Sequence, residues 1–184
     1  MSEAPPATSD SSEPHPSPSR RIGLLVLLML FAAFVADVAF FSKQLPDRVA
    51  THFDLHGKAN GWMGRDQYRN FTLGVGLGTS VLVVGVLVLV QKIGGRGLNL
   101  PNKEFWLAAE RREATYRFLQ SHFLWLGGLI VAFHAGLFHS VFAANSHTPA
   151  VLSPAWTISL LVGDLVLVGT WLAILLKRFR LPTA

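Results

Sequence analysis

The chain has 184 residues, a formal net charge of +5 and no cysteine, and 51% of it is hydrophobic. Charged residues make up only 15%, against roughly 25% in a typical soluble domain, and the apolar residues fall in long blocks, so the composition points to a small integral membrane protein. The missing cysteines exclude disulfides and thiolate metal sites, and basic residues that flank apolar blocks serve the membrane rather than nucleic acid.

Residues 1–19 are rich in Ser, Pro and Ala and lack aromatics, so they are expected to form a disordered tail. Arg20 and Arg21 then abut a first span, Ile22 to Phe41, interrupted by one charge, Asp37. Ser19-Arg-Arg faintly resembles a twin-arginine signal. The run is too long for a signal peptide's apolar region and no small-residue cleavage site follows, which favours an uncleaved anchor. A polar loop, 43–70, leads to a second span, Phe71 to Val90, whose Gly74-xxx-Gly78 permits close helix approach. Residues 20–91 thus form a first pair of membrane helices.

Within 92–118, Gly94 to Asn102 reads as loop and Lys103 to Phe118 as an interfacial helix carrying both aromatic and basic residues. Residues 119–184 hold a third span, about Leu119 to Ala144, a fourth, about Pro154 to Leu176, and a basic end, Lys177-Arg-Phe-Arg180. Pro154 suits a first helical turn, where its missing N–H is not needed. On the third span Gly128, Ala132 and Gly136 make a small-residue stripe suited to packing. The expected fold is an all-α integral membrane protein, a four-transmembrane-helix bundle with a structured extracytoplasmic loop.

Lys and Arg are divided eleven to five between the two sides of such a bundle, the smaller share lying with loop 43–70. The positive-inside rule then makes both termini cytoplasmic and turns that loop outward, in a bacterial inner membrane.

The outer loop is richer than a connector requires. It reads Leu45-Pro, Thr51-His-Phe-Asp54, Gly57 and Asn60-Gly-Trp62. This pattern resembles the domain-of-unknown-function family numbered sixteen forty-eight, which also occurs in SdpI-type immunity proteins, over roughly residues 25 to 75. Asn99-Leu-Pro-Asn-Lys-Glu-Phe-Trp106 and Glu110-Arg-Arg112 are similar to a segment of that family's short members. The resemblance implies a multispanning protein without established enzymatic activity. SdpI-type proteins protect a cell against a peptide toxin and relay its presence to a repressor. The present chain is shorter and their C-terminal half finds no match in it, so immunity and repressor capture do not carry over.

His52, Phe53, Asp54, Gly57, Asn60, Gly61 and Trp62 are the candidate ligand-binding or loop-structuring residues. His52, Asp54 and His56 would share one side of an extended segment, where two imidazoles and a carboxylate make a zinc-ligand set. The same residues suit a turn in which Asp54 bonds local backbone and Gly57 takes a positive φ. The turn is the preferred reading; no metal is assigned and no cofactor is implied.

Inside the spans, ionisable groups need partners or a wet cavity. Counting ~1.5 Å per residue puts Asp37 level with His139, and Asp164 level with His134, which suggests two Asp–His pairs. These either clamp the helices or serve proton or ligand chemistry. On the other side, Asn99, Pro101, Asn102, Trp106, Arg111 and Arg112 form either a lipid-attracted segment or a platform for a cytoplasmic regulator. With neither a nucleophile–base pair nor a nucleotide-binding loop, the expectation is a non-enzymatic protein. Its partners would be the lipid bilayer and an extracytoplasmic peptide, toxin or envelope ligand. A small transporter or proton-coupled module, and a metal-dependent membrane enzyme, are the alternatives.

Overall fold

The structure, a computed structural model, describes residues 18–93 and 97–181. The expected disordered tail lies outside them except for its last two residues, as do Gly94 to Arg96 of the second loop.

Helix α1 (Pro18–Phe41) runs through the first apolar block. A 3-10 turn (Ser42–Gln44) ends it, with Leu45 already extended ahead of Pro46, because proline disfavours helical geometry in the residue before it. Two antiparallel strands follow, β1 (Arg48–Phe53) and β2 (Ala59–Gly64). Helix α2 (Arg65–Lys92) starts at once. The Arg65 N–H donates to the Asp47 carbonyl at 3.0 Å while their side chains form an ion pair, and Asp66 in the first turn complements the helix dipole. The segment 43–70 is therefore a hairpin plus the first turns of a helix, a small sheet in an otherwise helical protein.

A short helix α3 (Lys103–Trp106) precedes α4 (Ala109–Asn145), which is 37 residues long. This corrects the expected interfacial helix over 103–118. The break comes at Leu107 and Ala108, and 109–118 continues unbroken into the third span. A change from polar to apolar composition does not end a helix. Proline or a capping signal would, and the stretch from Ala109 to Asn145 contains no proline. The carbonyls at the break are taken by side chains: Thr115 Oγ1 donates to Trp106 O at 2.9 Å and Arg112 Nε to Leu107 O at 3.2 Å. Helix α5 (Pro154–Arg178) is N-capped by Ser153, whose Oγ accepts from the Trp156 N–H.

Four of these helices are long and apolar enough to cross a membrane. Helix α4 is the central mast, packed against by α1, α2 and α5. One apolar core near the hairpin joins Phe34, Val38, Leu45, Val49, Tyr68, Val131 and Phe138. A second, at the opposite end, joins Leu87, Trp106, Leu119 and Phe179. No α5 residue from Pro154 to Arg178 is fully buried, so its apolar surface suits lipid. Gly74 and Gly78 face open space. The close approach on α2 comes at Gly76, where a Cβ would lie 2.6 Å from the Phe34 ring. Gly128 and Gly136 take Leu30 of α1 and Leu160 of α5 against the mast.

Candidate functional site

The hairpin is irregular. Ala50 pairs with Trp62, His52 with Gly61 and Phe53 with Ala59, so Thr51 on one strand and Asn60 on the other are extra residues. Such bulges re-aim side chains and break alternation. His52 packs over Gly61, where a Cβ would stand 2.7 Å from its own. The strand ends at Phe53, and Asp54 folds into the turn. Its Oδ1 accepts from the His56 and Lys58 N–H groups, each at 2.9 Å, and its backbone exchanges bonds with Lys58 and Gly57. The Lys58 N–H, aided by His56, holds the Asp54 carboxyl below its usual range. The zinc-ligand arrangement of His52, Asp54 and His56 is thereby corrected: no extended segment spans all three, and among the described residues no three metal-binding side chains converge.

Two elements from the other half of the chain clamp the hairpin. The Asn145 side chain, at the end of α4, behaves like a neighbouring strand. Its Oδ1 accepts from Ala50 N at 2.8 Å, and its Nδ2 donates to Ala50 O at 2.9 Å and to Val141 O at 2.8 Å. The Leu152 N–H donates to Gly57 O at 2.9 Å, and Lys58 bridges to Val151. Gly57 adopts φ +78°, and a Cβ there would fall 2.3 Å from the Leu152 carbonyl oxygen.

Beneath β1 lies a cleft of 320 Å³, walled by α2, α4 and the start of α5. Phe71, Leu137 and Phe138 supply apolar surface, Thr72 and Thr157 hydroxyls, and His52 and His134 imidazoles. His134 Nδ1 is bonded to Ile130 O of its own helix at 2.7 Å. The tip of the hairpin displays Leu55, 98% exposed, and Trp62 is half exposed beneath the Arg48 guanidinium. Phe53 lines the cleft and Asn60 faces solvent.

Residues 28–70 match the family model for a domain of unknown function, DUF1648. The DUF1648 segment thus covers the half of α1 nearer the hairpin, the whole hairpin and the first turns of α2. It supplies Thr51, His52, Phe53 and Tyr68 to the cleft, whereas Asn145, Leu152 and the α4 wall lie beyond it. No curated protein and no solved structure matches the chain.

Of the intramembrane residues, Asp37 and His139 come together: His139 Nε2 lies 3.0 Å from both carboxylate oxygens, aligned for a hydrogen bond with Oδ1. Asp164 and His134 do not pair. Equal depth is not equal azimuth: His134 faces the cleft toward α2. Asp164 lines a different, 250 Å³ cavity with Leu129, Ala132 and Phe133, and makes no hydrogen bond among the described residues.

At the far end, Asn102, Trp106 and Arg111 of the motif make contacts within the protein, while Asn99, Pro101 and Arg112 are exposed. Asn102 Nδ2 and Trp106 Nε1 each donate to Phe179 O at 3.0 Å, holding the end of α5, and Arg178 stacks on Trp106. Arg111 lies over Phe105 and donates to its carbonyl. Asn99 and Pro101 belong to the approach to α3. Tyr68, Thr72, Asn145 and Leu152 escaped sequence reasoning. A lone Asn closing a long apolar run was the one available signal for Asn145.

Proposed function

We propose that this is a non-enzymatic membrane protein whose hairpin end recognises an extracytoplasmic peptide. The observation that carries the reading is the cleft under β1. Its 320 Å³ sits at the lower end of the ~300–1,000 Å³ range of ligand pockets, sized for one large apolar side chain rather than a whole small molecule. The hydroxyls and His52 at its edge suit a peptide's polar backbone, and exposed Leu55 and Trp62 offer further apolar contact. The eleven-to-five division of basic residues supports an outward hairpin and cytoplasmic termini in an inner membrane.

The test is to select binders from a displayed peptide library against the full chain in lipid nanodiscs. The enriched peptides are then re-measured on Leu137→Trp, which fills the cleft. Affinity should fall at least tenfold with little loss of thermal stability. Equal binding to the variant sinks the reading.

A second reading, a proton-coupled module, is favoured by the Asp37–His139 contact within a span and by Asp164, which has no hydrogen-bond partner among the described residues. It requires proton leak in reconstituted vesicles that Asp37→Asn abolishes.

A further inference from the structure

At the end opposite the hairpin, a 190 Å³ cavity opens between α1, α2 and α4. Its walls are Leu24, Val84, Leu87, Val88 and Leu124, and its rim is Arg20 and the Gln120 amide. We propose that it binds one anionic phospholipid, with an acyl chain against the apolar walls and the phosphate on Arg20.

Three observations converge. Arg20 is exposed and has no hydrogen bond or ion pair among the described residues, and no carboxylate lines the cavity. A guanidinium is the side chain best matched to a phosphate's paired oxygens. Next, Gln120 Nε2 donates to Gln91 Oε1 at 2.6 Å, which leaves Gln91 Nε2 buried without an acceptor among the described residues. Gln91 itself does not line the cavity, but turning both amides over keeps one bond and moves the spare NH₂ to Gln120, at the cavity rim. A phosphate or ester oxygen in the cavity would accept from Gln120 in that arrangement. Finally, Arg20, Gln91 and Gln120 sit where three apolar runs begin or end, at headgroup depth. Leu24, Val88 and Leu124 lie about one turn deeper, ~5–6 Å, and Val84 about two. The arrangement is charge above, amide donor beside it and aliphatic surface below, the layering of a lipid.

The experiment uses the full-length chain in detergent, read by native mass spectrometry and thermal unfolding with added phosphatidylglycerol or phosphatidylcholine. Phosphatidylglycerol should be retained and should raise Tm. Arg20→Gln, which removes the charge, and Val88→Trp, which fills the cavity, should each weaken retention by about tenfold or more. Lys177→Gln, an equal charge loss at an exposed site away from the cavity, should leave it unchanged. Equal retention of phosphatidylcholine, or equal losses in Arg20→Gln and Lys177→Gln, would overturn the proposal. So would inorganic phosphate reproducing the rise in Tm, since that would make the ligand a free anion.

Discussion

Gly57 and Gly64 bracket the second half of the hairpin, yet only one needs to be glycine. Gly57 combines φ +78° with a backbone oxygen 2.3 Å from where a Cβ would stand, whereas nothing lies within 4 Å of a Cβ on Gly64. Gly57→Ala should therefore lower stability by roughly 1–3 kcal/mol, and Gly64→Ala by much less, compared by thermal unfolding in one detergent. Asp54 sets the same turn electrostatically. Its folded pKa is depressed, so its contribution is present above the unfolded value and is lost as pH falls through the folded one. Protection of the His56 and Lys58 amides, taken relative to the intrinsic exchange rate at each pH, should fall as acid titrates Asp54, and Asp54→Asn should remove that dependence. Wild-type protection that matches Asp54→Asn throughout the acid range would refute it.

At the scale of elements, the hairpin is stabilised less by itself than by what meets it. Two strands alone are marginal in water, and Asn145 gives β1 the partner that a third strand would. Asn145→Ala leaves both polar groups of Ala50 without that partner and should cost about 1–3 kcal/mol. Faster exchange at the Ala50 amide would locate the loss, and unchanged exchange would deny the clamp. The four spans were legible in the sequence because apolar length is a direct signal. The hairpin was not. Its extra residues at Thr51 and Asn60 erase the period-two pattern that marks a strand, and its glycines and Asp54 announce a turn without saying what flanks it. Depth along a helix was legible too, which is why Asp37 could be matched with His139. Rotation about the helix was not, and the Asp164–His134 pairing failed on that alone.

At the scale of the whole molecule, each end is closed by segments that lie far apart in the chain. Residues 151–152 hold the hairpin tip, and α3 holds the carbonyl of Phe179. The hairpin and the α4–α5 connection therefore share one end, and α3 and the end of α5 share the other. The absence of native cysteine makes the orientation directly measurable. In intact cells Lys58→Cys should react with a membrane-impermeant maleimide, while Asn99→Cys should react only after permeabilisation. The reverse pattern would invert the protein in the membrane.

The reach of the Asn145 clamp also sets an order of events during synthesis. Asn145 follows Ala50 by 95 residues. At ~5–20 residues per second, the hairpin emerges some 5–20 s before its clamp has been made. In that interval the two strands of the DUF1648 segment lack their third partner. The Asn145 latch can close only once the end of α4 has been made, and a copy of residues 28–70 alone would lack it.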